Sequence, residues 1–204
     1  MVALDEWRAA WDELGASPPA GVLDALIAAY DEPGRAYHNR RHIDECFGLL
    51  AAVRPLLDRP GEVALALWFH DAVYDPRRRD NEAQSAARAE AVVRDAGLVE
   101  AASAVRDLIL LTADHTPPDS ADGRALVNID LAILGAEPAR FDEYEAQIRR
   151  EYAWVVDGDF RAGRARVLRR FLARSPLYLT EHFRRDREGQ ARANLARSLD
   201  LLGG

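Results

Sequence analysis

Apolar residues in this chain recur at intervals of three and four, and that spacing restricts what it can fold into. Leu4, Trp7, Trp11 and Leu14 fall on one helical face, as do Val22, Leu23, Leu26 and Ile27. No stretch alternates apolar and polar residues between turn signals, as a half-buried strand would. The spacing predicts further helices over about 40–53, 61–73, 80–95 and 99–112, then near 128–134, 138–155, 158–173 and 179–201. Turn chemistry separates them: "GASPPAG" at 15–21, "DEPG" at 31–34, "DRPG" at 58–61 and "TPPDSADG" at 116–123. No repeat, low-complexity block or long linker divides the chain. The expectation is one all-α domain over 1–204, with a core at about 35–135 and C-terminal helices at about 138–201 packed on it.

A chain of 204 residues can bury a substantial core without disulfides, and its one cysteine, Cys46, permits none within the chain. A reducing interior is the natural setting, so a cytoplasmic location is expected. The opening "MVALDEWRAAWDEL" has neither the basic flank nor the apolar run of a signal peptide. The longest apolar run, "VALALWF" at 63–69, is far short of the roughly 20 residues a membrane span needs. A net charge of -7 argues against a nucleic-acid polymer as partner. All 27 basic residues are arginine, so any basic contact to an anion uses a guanidinium, which can grip phosphate bidentately.

Chemistry concentrates in two stretches. "YHNRRHI" at 37–43 holds His38 and His42, four apart, and "FHDAVYD" at 69–75 holds the doublet His70–Asp71. Three of the five histidines lie here. Taken singly, a buried histidine is more often a hydrogen-bonded core residue than a ligand, and an aspartate near a helix end is more often a cap. The combination alters that balance. His70 and Asp71 close the buried-looking run "EVALALWF", where two ionisable groups would cost several kcal/mol unless paired or ligated. Asp130 raises the same question within "ALVNIDLAILG" at 125–135. One divalent cation held by His42, His70, Asp71 and Asp130 would answer both. Two imidazoles and two carboxylates suit Mn, Fe, Co, Ni or Zn, with Mg a further candidate. Such a metal lowers the pKa of a bound water and makes it a nucleophile. The lack of clustered cysteines argues against a structural zinc site.

The order His, His-Asp, Asp on a helical chain resembles the HD-domain metal-dependent phosphohydrolases. The match falls on His42, on His70 and Asp71, and on Asp130. "WFHDAVYDP", "DNEAQSA", "DLAILG", "REYAWV", "RVLRRFLARSPLY" and "ARANL" resemble one bacterial subgroup of that superfamily, over about residues 30–200. The resemblance implies an HD-domain helical bundle that cleaves a phosphate ester of a small molecule, with nucleotides among the candidates. "YHNRRH" is also similar to a segment of cyclic-nucleotide phosphodiesterases, in which the first histidine is the general acid and the second binds metal. Carried over, His38 donates a proton and His42 ligates. Those enzymes continue with another histidine after the doublet, where this chain has Tyr74 and Asp75, and no nucleotide-selecting glutamine can be placed. Cyclic-nucleotide specificity is therefore not implied.

The flanking residues carry paired readings. His38 is a proton donor or part of the scaffold. Asp75 orients a water or caps the turn at Pro76. His115, in "LTADHTPP", is a further ligand or substrate contact, or a surface residue. Arg77, Arg78 and Arg79, with Arg40 and Arg41, suit an anionic substrate or form a solvated face. Asn81, Glu82 and Ser85 form a motif in the resembled subgroup, with Asn81 and Glu82 counted as substrate contacts. "RREYAWVV" and the segment 161–174 read as amphipathic helices with Trp154, Val155, Leu168 and Phe171 facing the core. His182 reads as a surface residue. Three functions compete. A metal-dependent phosphohydrolase needs the full ligand set. A nucleotide-binding regulatory module with the same fold would not need all four ligands. A diiron oxygenase would need more histidines than His38 and His115 supply.

Overall fold

The expected periodicity is realised along the chain. The computed structural model describes residues 2–203, and among them every regular element is helical. The α-helices are α1 (Val2–Glu13), α2 (Val22–Tyr30), α3 (Arg40–Val53), α4 (Pro60–Phe69), α5 (Asn81–Asp95), α6 (Val99–Leu110), α7 (Ala121–Asp130), α8 (Pro138–Glu151), α9 (Asp157–Leu172) and α10 (Glu181–Leu201). Short 3₁₀ turns occupy Arg54–Leu56 and Leu131–Gly135. Among the described residues no helix is long and apolar enough to cross a membrane. The chain divides into two compact units, one up to Ile129 and one from Asp130 on.

In the first unit α4 is the central helix. Every residue from Gly61 to Phe69 is buried, and α1, α3, α5 and α6 pack around it. A helix apolar on all sides has to be enclosed on all sides. Trp7 and Trp11 of α1 lie edge-on to each other, and Trp7 meets Trp68 of α4 at 5.6 Å between ring centroids. Gly61 permits close approach there: a Cβ would stand 3.0 Å from the Ala10 carbonyl oxygen. The carboxylate of Asp122 on α7 accepts from the backbone N–H groups of Asp58 and Arg59, at 2.8 and 3.0 Å, and so fixes the start of α4.

The second unit is built around the 3₁₀ turn at 131–135, against which α8 and α10 pack. Three polar side chains satisfy its carbonyls: Tyr178 Oη donates to Leu131, Asn194 Nδ2 to Leu134, and Arg187 to Ala132. Glu145 of α8 pairs with the half-buried Arg164 of α9 and accepts from Ser198 Oγ of α10 at 2.9 Å.

Three expectations are corrected. The helix expected over 61–73 stops at Phe69, so the His70–Asp71 doublet lies in the following turn. The helix expected near 128–134 starts at Ala121, because Ser120 Oγ accepts from the Gly123 N–H at 3.0 Å and caps it inside the supposed break. The helix expected to reach 155 ends at Glu151. Beyond that point helical spacing no longer governs which way a side chain faces, and Trp154 is 50% exposed rather than in the core. Val155 is half-buried, whereas Leu168 and Phe171 are buried as expected.

Candidate metal centre

The site begins with the way two helices end. Asn39 caps α3: its Oδ1 accepts from the Arg41 N–H at 2.9 Å and its Nδ2 donates to the Ala36 carbonyl at 2.9 Å. Capping there puts His42 in the first turn of α3, buried, and leaves His38 outside the helix. His38 and His42, although four apart in the sequence, therefore do not share a helical face. His38 is half-buried in the turn before α3, its ring stacked on Tyr74 at 4.1 Å and 6.2 Å from the His42 ring.

At the end of α4 the last carbonyls lack helical partners. His70 supplies one, with its Nδ1 2.8 Å from the Leu67 carbonyl oxygen. A carbonyl only accepts, so Nδ1 carries the proton and Nε2 presents a lone pair. That lone pair faces His42 Nε2 at 3.1 Å and Asp71 Oδ2 at 3.1 Å, and His42 Nε2 lies 3.6 Å from the same carboxylate oxygen. Both imidazoles are 2% exposed. Two imidazole nitrogens this close can share a proton or a cation between them, but two facing lone pairs repel.

His42, His70 and Asp71 form a group that could hold a metal ion, with donor atoms all within 4.8 Å of one another. Adjacent ligands about 2.1 Å from a cation stand about 3.0 Å apart in an octahedron and about 3.4 Å apart in a tetrahedron. Two of the three separations, 3.1 Å each, fall within that range and the third, 3.6 Å, lies just above it, and nitrogen and carboxylate oxygen suit the first-row divalent ions. The donor set therefore fits a divalent cation. The electrostatics agree. Burial would push the Asp71 carboxyl up, but His70 foremost, then His38 and His42, when protonated, hold it well below the usual carboxylate range, so positive charge at this spot, whether from protons or from a cation, is what the carboxylate favours.

The remaining expected residues divide. Asp130, the fourth ligand of the sequence reading, closes α7 and opens the second unit. Within that unit its charge adds to the effect of burial in raising the Tyr144 hydroxyl, which Arg164 partly offsets. Asp75 Oδ1 accepts from the Arg77 N–H at 2.9 Å, which is the capping role. Asn81 grips the backbone of Asp75 at both ends, accepting from its N–H at 3.1 Å and donating to its carbonyl at 2.9 Å. One turn along α5, Ser85 Oγ does the same for Val73, at 3.0 and 3.3 Å. The motif "DNEAQSA" thus braces the loop after the doublet, and the amide of Asn81 is engaged there rather than presented to a substrate. Glu82 is half-buried on the same helix. Arg41 pairs with Glu45 at 3.1 Å, and Arg78 forks onto Asp80 at 2.8 and 2.6 Å, both on the exposed surface. Arg77 and Arg79 are exposed in the same loop. His115 adopts a left-handed backbone, φ 55°, after α6, and is not among the gathered donors.

The sequence reading missed Arg35. That residue follows directly on the turn "DEPG", yet the Arg35 side chain is buried and its guanidinium reaches the backbone of the doublet. A charged residue between turn signals gives no burial pattern to read. No known protein family, curated protein or solved structure matches this chain.

Proposed function

We propose that the chain is a metal-dependent phosphohydrolase of the HD-domain type, acting on a phosphate ester of a small molecule, with nucleotides the first class to try. The observation that carries this reading is the convergence of His42 Nε2, His70 Nε2 and Asp71 Oδ2 at separations of 3.1 to 3.6 Å in a buried setting. Those three residues would hold a divalent transition metal, which when bound supplies an acidified water and polarises a phosphoryl oxygen. The tautomer that His70 needs for this is already set by its bond to the Leu67 carbonyl.

The chain's own residues provide the rest. His38, stacked on Tyr74 and electrostatically coupled to Asp71, is positioned to give a proton to a leaving group. Arg41, Arg77 and Arg78 lie on the segments flanking the donors. The pairs of Arg41 with Glu45 and Arg78 with Asp80 are exposed, and such pairs contribute about 0–1 kcal/mol, so either arginine can exchange its partner for phosphate. An acidic chain with arginine beside both metal-binding stretches suits a small anion that is drawn in locally.

The test is phosphate release by the purified full-length protein over a panel of nucleotides and other phosphate monoesters, with added Mn²⁺. Release that is lost on chelation, restored by Mn²⁺ and absent in Asp71→Asn supports the reading. Release that survives complete metal removal rejects it. Tight nucleotide binding with no turnover on any substrate would favour a regulatory module instead.

A further inference from the structure

The doublet's backbone is held by one buried guanidinium. Arg35 is 7% exposed and lies between α2 and α3. Its Nη1 donates to the Asp71 carbonyl at 2.5 Å and to the His38 carbonyl at 3.4 Å, and its Nη2 donates to the Ala72 carbonyl at 3.3 Å. Its Nε pairs with Glu32 at 2.9 Å. The ring of Tyr30 lies 5.4 Å from the guanidinium carbon and that of Tyr74 lies 5.6 Å from it. Tyr74 in turn stacks on His38. An arginine is desolvated at considerable cost, and neutral carbonyls compensate it less well than a buried carboxylate would. Only a planar fork with several donors can reach both carbonyls of the Asp71–Ala72 link and that of His38 together.

We infer that Arg35 is a positioning residue for the metal site, fixing the backbone of Asp71 so that its carboxylate stands where His42 and His70 converge. This inference rests on the metal-site reading above. The Asp71 carbonyl is two bonds from the Cα that carries the ligating side chain, so a shift of the turn moves Oδ2 with it. The other side of the loop is tied down at Val73 and Asp75 by Ser85 and Asn81. On the carbonyl side of the ligand-bearing segment, Arg35 spans both the Asp71 and the Ala72 peptide oxygens. Partners that orient ligands typically contribute roughly 10–100-fold to metal affinity.

The experiment is calorimetric titration of the metal-free full-length protein with Mn²⁺, for wild type, Arg35→Met, Arg35→Lys and Asp71→Asn. Melting curves without metal and visible spectra at saturating Co²⁺ accompany each variant. Arg35→Met is expected to raise the Mn²⁺ Kd roughly 10–100-fold and to shift the Co²⁺ bands, because the carboxylate donor has moved. Arg35→Lys, which keeps the charge but loses the fork, is expected to fall between Arg35→Met and wild type. A folded Arg35→Met with wild-type Kd and Co²⁺ spectrum overturns the inference, as does Arg35→Lys indistinguishable from wild type. If neither variant folds, Arg35 is a residue of the fold and the inference also fails. If wild type takes up no Mn²⁺, or Asp71→Asn binds it as wild type does, the metal reading itself falls and this inference falls with it.

Discussion

Ser85→Ala isolates the brace on the doublet loop. The side chain is fully buried, and its single oxygen serves both backbone polar groups of Val73, accepting from the N–H at 3.0 Å and donating to the carbonyl at 3.3 Å. Removing the oxygen leaves a donor and an acceptor without partners. Each such group costs about 1–3 kcal/mol when fully dry. Val73 is half-buried, so water can reach part of this peptide, and the total expected is about 2 kcal/mol, toward the low end. In urea, with a slope of about 2.5 kcal/mol/M, the midpoint should fall by about 0.8 M while the slope stays unchanged. Asn81→Ala should cost a similar amount through Asp75, and the double variant should lose less than the sum, since both side chains hold one loop. A Ser85→Ala midpoint within about 0.2 M of wild type would refute the bracing argument, and strict additivity would refute the shared loop.

Three further outcomes are expected. Asp71 has a folded pKa held below its unfolded value, so it contributes stability above about pH 4 that is lost as the pH falls through that value toward the folded pKa. Metal-free wild type should accordingly lose more stability between about pH 5 and pH 2 than Asp71→Asn, and parallel pH profiles by urea unfolding would contradict this. In the second unit, a Cβ at Gly135 would stand 2.8 Å from the Arg187 carbonyl oxygen and 2.9 Å from the Tyr178 hydroxyl. Gly135→Ala should therefore destabilise by about 1–3 kcal/mol, and a neutral result in thermal melts would mean the turn relaxes freely. His38→Ala should retain Mn²⁺ by titration yet lose roughly 10²–10⁴-fold in turnover on substrates with poor leaving groups, and much less on p-nitrophenyl phosphate. Loss of the metal in that variant would make His38 a ligand.

The sequence alone determined the helical character of the chain and the residues in which its chemistry gathers. Helical periodicity is local, and apolar spacing along α1 and α2 records it directly. An all-apolar run such as residues 63–69 of α4 has to be enclosed, so its burial was legible too. The pairing of His42 with His70 and Asp71 was legible as a motif, because ionisable residues that end a buried run need a partner.

Only the tertiary structure decided how these residues are held. Asn39 caps α3 and so places His38 off the helix, which depends on where a cap forms and not on the spacing of histidines. Asn81 looks like a substrate contact in a row of letters, yet it and Ser85 of the same motif bind the backbone of Asp75 and Val73, partners six and twelve residues away. Trp154 leaves the core because α8 ends three residues before it. Arg35 reaches across thirty-six residues to the Asp71 carbonyl. Backbone carbonyls are the same at every position, so no sequence pattern can mark which one a distant side chain will bind; folding alone brings that pair together.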